Sequence, residues 1–184
     1  MKTGRVEFIA LMALLMSMLA LSIDAVLPAL TTIGADLGAR HHNESQKIVS
    51  VLFLGMSGGL ILYGPLSDAI GRKKAIYWGI SIFLAGNLIS VLSLNMTSML
   101  IGRALQGFGA AACRVVPIAM VRDLFEGQEM GKIMSLIMMV FIMVPALAPS
   151  IGQAVLLVFT WKAIFWFTTL TAVLNLTWLH FRLT

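Results

Sequence analysis

Asp24 and Arg103 are charged residues that lie inside long apolar runs of the sequence. A charge within a bilayer is costly, so such a residue usually faces a bundle interior or a water-filled cavity and marks a path for ions or substrate. By helical rise, both residues lie roughly 6–9 Å below the same membrane surface. We therefore expect Asp24 to bind and release a proton while Arg103 tunes the proton affinity of its carboxylate. A structural ion pair between the two helices is the alternative, and the two roles are compatible.

The run that contains Arg103 carries further polar residues. Gln106, Arg114 and Pro117 fall within about 60° of Arg103 on a helix that turns 100° per residue. Such a stripe cannot face lipid, so we expect Gln106 and Arg114 to line a substrate cavity. Arg114 lies nearer the other membrane surface, and snorkelling of its long side chain toward that surface is the alternative.

The apolar runs define the architecture. Of the 184 residues, 59% are hydrophobic and 11% are charged, whereas soluble domains carry about 25% charged residues, which excludes a cytosolic enzyme and a nucleic-acid-binding protein. A bilayer core about 30 Å thick requires roughly 20 helical residues, and only helices of this length satisfy their own backbone in lipid. We predict an all-α membrane protein with six transmembrane helices, at residues 6–30, 48–66, 75–94, 99–121, 133–159 and 163–179.

The basic residues of the connectors predict the orientation. Eight Lys and Arg residues fall on the side that carries both termini and three fall on the other side. Short loops rich in Lys and Arg stay in the cytoplasm, so we place both termini there. The eight are Lys2, Arg5, Arg72, Lys73, Lys74, Arg122, Lys132 and Arg182, and the three are Arg40, Lys47 and Lys162.

Other reactive side chains do not form a site by their spacing. Cys113 is the single cysteine, which excludes an intramolecular disulfide and a thiolate metal cluster, and the adjacent His41 and His42 are expected to be solvated. Ser57 stands in a G-x-S-x-G pattern, but by helical rise it differs in depth from His180 by more than a helix turn, too far for a protease dyad. We predict neither an enzyme nor a metal centre, and no cofactor other than protons as the coupling ion.

The segment between the second and third runs combines glycine, proline and charge. A glycine at each end and Pro65 permit a tight reversal, and the carboxylate of Asp68 can accept backbone donors at the start of the next helix. The basic residues hold the segment on the cytoplasmic side. We predict a cytoplasmic gate loop formed by Gly64, Asp68, Gly71, Arg72 and Lys73.

Two prolines and a glycine mark the fifth run. Pro145 and Pro149 each remove a backbone donor, and we expect Pro149 to break or kink the helix near its centre. Gly152 allows a neighbouring helix to approach closely. Glycines in the second and fourth runs offer close helix packing as well, at Gly55, Gly59, Gly102 and Gly109.

These patterns resemble motifs of the major facilitator superfamily. Residues 102–111 resemble its motif R-x-x-Q-G-x-G-a, and residues 144–153 are similar to its antiporter motif G-x-x-x-G-P-x-x-G-G, with alanine and glutamine in place of two glycines. Residues 23–30 and 121–125 resemble the Bcr/CflA branch of drug:proton antiporters. The gate loop resembles the signature G-x-L-a-D-r-x-G-r-k, matching at Gly64, Leu66, Asp68, Gly71, Arg72 and Lys73 and departing from it at Ala69.

The resemblance implies a function and a missing partner. It implies that residues 1–184 are the N-terminal six-helix bundle of a twelve-helix transporter, built from two inverted three-helix repeats, with the C-terminal half absent. Such antiporters export small hydrophobic or amphipathic compounds, including drugs, in exchange for protons. We expect the chain to lie in the bacterial inner membrane and to need the missing half or a second copy of itself, because its polar stripe would otherwise face lipid. A non-transporting membrane scaffold, or a degenerate transporter fragment, is the alternative.

Overall fold

The computed structural model describes residues 4–39 and 42–182, and within those ranges its regular elements are all helices. Six helical stretches are long and apolar enough to cross a membrane, which confirms the predicted all-α fold class. Lys2, Arg40, His41 and the side chain of His42 lie outside the described part. The helices are α1 Arg5–Asp24, a 3-10 turn at Leu27–Ala29, α2 Leu30–Asp36, α3 His42–Ile70, α4 Arg72–Val91, α5 Met96–Leu124, α6 Gly127–Val158 and α7 Lys162–Arg182.

The first span contains a break that was not predicted from the sequence. α1 ends at Asp24, and after the 3-10 turn α2 continues the span to Asp36, beyond the predicted end at residue 30. Pro28 explains the break, because its nitrogen carries no hydrogen to donate to the carbonyl of Asp24 four residues earlier.

The junction between α3 and α4 is tighter than predicted. α3 continues through Pro65 to Ile70, so the prediction that Gly64 and Pro65 form the reversal is wrong. A membrane helix tolerates proline where neighbouring groups satisfy the freed carbonyl. Gly71 separates the two helices, and its φ of 93° lies in the region that favours glycine.

Glycines bring the helices into backbone contact. α5 packs against α3 and α4, and a methyl group at Gly107 would overlap the carbonyl of Leu52, just as one at Gly102 would overlap the carbonyl of Gly86. α1 in turn packs against α6 and α7. The first helix of each three-helix set therefore contacts the last two helices of the other set, which is the pattern expected of two inverted repeats.

One end of the bundle carries ion pairs between different helices. Arg5 at the start of α1 pairs with Glu129 of α6, and Arg182 at the end of α7 pairs with Glu7 of α1 at 2.9 Å. We name this the basic end, after Arg5, Arg72, Arg122 and Arg182, and the opposite end the distal end.

Candidate functional site

Arg103 is completely buried, with none of its surface exposed. Its Nη1 donates to the Ser22 carbonyl of α1 at 3.0 Å and to Oε1 of Gln106 at 2.7 Å. Its Nε donates to the Ile48 carbonyl of α3 at 3.3 Å. The guanidinium also lies over the ring of Phe165, 5.7 Å from its centroid. One cation thus joins α1, α3, α5 and α7 through neutral partners.

Asp24 follows Ser22, a partner of Arg103, by two residues but does not pair with the cation. The carboxylate is half-buried at the break in the first span, and among the described residues it forms no hydrogen bond or ion pair. The structure therefore does not contain the structural ion pair considered above. Arg103 nevertheless binds the carbonyl of Ser22, two residues before Asp24, so the two charges lie at a similar depth.

Gln106 belongs to a buried polar network rather than to a cavity wall. It is fully buried, its Oε1 accepts from Arg103, and its Nε2 donates to Oδ1 of Asn87 at 2.8 Å. The expectation that its side chain faces a substrate cavity is therefore not met. Asn87 of α4 connects the network to α7, because its Nδ2 donates to the Phe165 carbonyl at 2.7 Å and to Oγ1 of Thr169 at 2.5 Å. Hydrogen bonds of this kind are what make buried polar groups tolerable.

The α4 and α7 members of this network were not predicted from the sequence. Asn87 is an amide inside the apolar run 75–94, and this position is the one sequence signal that could have indicated a buried polar contact in α4. Thr168 joins the network by donating to Oδ1 of Asn87 at 3.3 Å. Neutral polar residues are less costly in lipid than charges, so they stand out less in an apolar run.

Arg114 lies apart from Arg103, toward the basic end. Its guanidinium is 5.3 Å from the ring centroid of Phe141 on α6, and the side chain is half-buried. It lines a cavity of about 330 Å³ together with Gly64, Asp68 and Arg72. The residues of the predicted polar stripe therefore lie in two places: Arg103 and Gln106 are buried together, and Arg114 lines a cavity at the basic end.

Arg72 ties together the ends of three helices beside that cavity. It pairs with Asp68 of α3 at 2.5 Å and with Asp123 of α5 at 2.8 Å, and its Nη1 donates to Oγ of Ser67 at 2.6 Å. The prediction that Asp68 caps α4 is wrong, because Gly71 is the residue at the N-cap and no side chain caps that helix. A side chain in the last turn of α3 instead reaches Arg72 one helical turn later.

Lys73 and Gly64, the other predicted members of the gate loop, take no part in these ion pairs. The ammonium of Lys73 lies over the ring of Tyr77, 5.8 Å from its centroid. Gly64 lies within α3, with open space where a side chain would be. Arg72, Asp68 and Asp123 therefore form the charged core of this region.

The fifth-span motif packs directly on the break beside Asp24. A methyl group at Gly152 would overlap the carbonyl of Ala25, so the predicted close approach of a neighbouring helix is present, and that helix is α1. α6 runs through Pro145 and Pro149 as one helix, so Pro149 does not interrupt it. The glycine thus fixes the distance between α6 and the segment that carries the carboxylate.

Ser57 and His180 have separate partners. Oγ of Ser57 donates to the Phe53 carbonyl at 2.9 Å, and Nδ1 of His180 lies 3.2 Å from the hydroxyl of Tyr77. The two residues therefore form no dyad.

Proteins of known sequence are similar to this chain over most of its length. Residues 11–184 match the profile of the Major Facilitator Superfamily. The chain is 40% identical over 169 residues to the uncharacterized MFS-type transporter YdgK of Bacillus subtilis, covering 89% of this chain and 41% of that protein. It is 35% identical over 146 residues to the multidrug resistance protein MdtL of Escherichia coli, covering 78% of this chain and 37% of that protein.

Solved structures share the fold. The chain superposes with a TM-score of 0.80 on the peptide transporter POT in complex with sulfate, at 14% identity, covering 97% of this chain and 37% of that one. It superposes with a TM-score of 0.76 on the D-xylose-proton symporter, at 16% identity, covering 95% and 46%. The chain spans about two fifths of the length of the sequence relatives described above. It belongs to the Major Facilitator Superfamily, and its six spans correspond to the N-terminal half of a transporter of that family.

Proposed function

We propose that this chain forms one half of a proton-coupled exporter, of the Bcr/CflA type, for small hydrophobic or amphipathic compounds. Family membership and the relative named as a multidrug resistance protein support export of such compounds. The observation that carries proton coupling is Asp24, a half-buried carboxylate with no partner among the described residues, placed at a helix break in the middle of a membrane span.

The surroundings of Asp24 suit reversible protonation. A neutral carboxylic acid is tolerated in the membrane interior, whereas the ionised form needs a nearby cation or water. Arg103 supplies that cation, and because three neutral acceptors hold it in place, its charge is not cancelled by a fixed carboxylate. In the proposed cycle the carboxylate takes a proton from one side of the membrane and gives it up when the compound binds. Proton and compound thus move in opposite directions.

The basic end is the proposed cytoplasmic side. Both termini then lie in the cytoplasm of a bacterial cell, and the exporter resides in the inner membrane. Alternating access needs a second bundle that rocks against this one, either the remaining half of the transporter or a second copy of the chain. A partner is not needed to shield the polar stripe from lipid, as predicted from the sequence, because Arg103 and Gln106 are already buried within this bundle. What one bundle lacks is the opposite wall of a central cavity.

Transport against a gradient tests this proposal. The complete transporter is reconstituted in vesicles with an imposed pH difference, and uphill movement of a fluorescent amphipathic compound is measured. Asp24→Asn should abolish uphill movement while leaving the protein in the membrane. Asp36→Asn is the matched control, because it makes the same change in the same span but retains the acceptor for Nε1 of Trp161, and it should transport normally. Undiminished uphill transport by Asp24→Asn rules out Asp24 as the proton site.

A non-transporting scaffold is the competing function. It predicts that the complete wild-type protein moves no compound in response to the pH difference. It also predicts that Asp24→Asn and Asp36→Asn behave alike.

A further inference from the structure

The contacts of Arg103 form a closed ring across three helices. Its Nη1 donates to Oε1 of Gln106 at 2.7 Å, and Nε2 of Gln106 donates to Oδ1 of Asn87 on α4 at 2.8 Å. Nδ2 of Asn87 donates to the carbonyl of Phe165 on α7 at 2.7 Å, and the ring of Phe165 lies against the guanidinium. Gly86 permits this approach of α4, because a methyl group there would overlap the backbone nitrogen of Gln106.

Arg103 sets the direction of every hydrogen bond in this ring. A guanidinium has only donors, so the oxygen of the Gln106 amide faces it. The nitrogen of that amide then faces Asn87, and the nitrogen of Asn87 faces α7. In the described part of the chain, Oδ1 of Asn87 is the one acceptor for Nε2 of Gln106. Without Asn87, the Gln106 amide is therefore free to rotate and to release the guanidinium.

The guanidinium holds a carbonyl that the break in the first span sets free. In an unbroken helix the Ser22 carbonyl would accept from the N–H of Val26, but that N–H donates to the Ile23 carbonyl at 3.3 Å. The Ser22 carbonyl accepts instead from Nη1 of Arg103, the nitrogen that also donates to Gln106. Both hydrogens of Nη1 are thus used, and one of them fixes the last turn of α1, two residues before the proposed proton site.

We propose that Asn87 is a positioning residue for Arg103, because it fixes the amide of Gln106 and thereby holds the guanidinium on the carbonyl of Ser22. Asn87 has no exposed surface, so it touches neither the solvent nor an exported compound. It acts through Gln106 alone. The placement of Arg103 does not depend on what the protein transports, whereas the effect of Asn87 on turnover rests on the proposed proton coupling.

The first test observes the guanidinium itself. The complete transporter, with isotope-labelled nitrogen in its arginine side chains, is studied by NMR in lipid nanodiscs, and the Arg103 signal is assigned through its contact with the Phe165 ring. In the wild type, Nη1 should give a signal separate from that of Nη2, because both of its hydrogens are held. In Asn87→Leu the two signals should merge, and hydrogen exchange at Nη1 should become about tenfold faster, because one lost hydrogen bond frees the Gln106 amide.

Two further variants provide a control and a milder change. Asn175→Leu is the matched control, because it makes the same change at a buried amide of α7 whose Nδ2 donates within its own helix, to the Thr171 carbonyl at 2.9 Å. It should leave the Arg103 signals unchanged. Thr169→Val conserves the shape of the side chain but removes one of the two acceptors of Asn87, so exchange should become about two- to threefold faster. This variant decides the outcome if Asn87→Leu does not reach the membrane.

The second test separates turnover from affinity in reconstituted vesicles. Asn87→Leu should lower the turnover of uphill transport about tenfold and leave the affinity for the compound unchanged, because a displaced Arg103 no longer fixes the turn before the proton site. Gln106→Leu should have the same effect. The double variant should turn over no more slowly than Gln106→Leu alone, because Asn87 acts through Gln106. A merely structural role would lower the amount of folded protein and leave turnover per molecule unchanged.

Unchanged Arg103 signals in Asn87→Leu overturn the proposal, as do unchanged signals in Thr169→Val where Asn87→Leu does not fold. Equal changes in Asn87→Leu and Asn175→Leu also overturn it, because the bundle is then loosened in general. Lower affinity at unchanged turnover would place Asn87 in the binding of the compound and overturn its positioning role. A wild-type protein that does not transport would contradict the proposed export, whereas release of Arg103 in its Asn87→Leu variant would still support the placement inferred here.

Discussion

Replacing Arg103 by lysine separates the role of its charge from that of its shape. If charge alone matters, Arg103→Lys should behave like the wild type. The structure predicts otherwise, because the guanidinium reaches acceptors on three helices: Ser22, Ile48 and Gln106. A lysine ammonium ends one bond short of Nη1 and has no counterpart to Nε, so it can form at most one of the three hydrogen bonds.

The expected cost follows from the two hydrogen bonds that lysine cannot form. A hydrogen bond to a charged group contributes about 1.5–3 kcal/mol net, so removing two destabilises the bundle by about 3 kcal/mol or more. For a protein of this size, a change of about 3 kcal/mol lowers Tm by roughly 6–12 °C. Arg114→Lys is the matched control, since it removes only the stacking of the guanidinium on Phe141, and it should cost less than about 1 kcal/mol.

Cys113 provides the assay for this prediction. It is the single cysteine of the chain and it is buried, so a thiol-reactive fluorescent dye reports unfolding in detergent. Arg103→Ala and Arg103→Lys should both unfold well below the wild-type temperature, while Arg114→Lys unfolds close to it. If Arg103→Lys melts like the wild type while Arg103→Ala does not, the geometric role of the guanidinium is refuted.

Two further predictions address helix packing and the gate. Gly107→Ala should destabilise the protein by about 2–3 kcal/mol in the same assay, because the new methyl group meets the Leu52 carbonyl. Gly64→Ala is the control, because Gly64 faces open space, and it should be neutral or stabilising by about 0.5–1 kcal/mol. Equal effects of the two substitutions would contradict the close packing at Gly107. Asp68→Asn should slow turnover more than it weakens substrate binding, because it removes one of the two carboxylates that hold Arg72, and unchanged turnover in vesicles would remove the loop from the mechanism.

The six spans could be predicted because crossing a bilayer imposes a minimum length on apolar runs. Their ends could not, since polar residues beyond the hydrocarbon core continue the helix, as at the start of α3, where the helix begins at His42 and the apolar run at residue 48. The break at Asp24 was open to prediction, because Pro28 lies four residues after it and cannot donate to its carbonyl.

The candidate site was only partly visible in the sequence. Arg103 and Gln106 stand out as polar residues in an apolar run, but a stripe on one helix does not show which neighbours cover it. The structure covers both from within the same bundle. Asn87 and its partner Thr169 come from separate spans, so their contact depends on how α4 and α7 pack and is not encoded in local spacing.

Proton release on binding of a compound measures coupling at Asp24 directly. The complete transporter in weakly buffered detergent solution is mixed with an amphipathic substrate, and the pH change is followed with a soluble indicator. The wild type and Asp36→Asn should release about one proton per molecule bound, and Asp24→Asn should release none, because the proton leaves the Asp24 carboxylate. Equal release by Asp24→Asn and the wild type would contradict it.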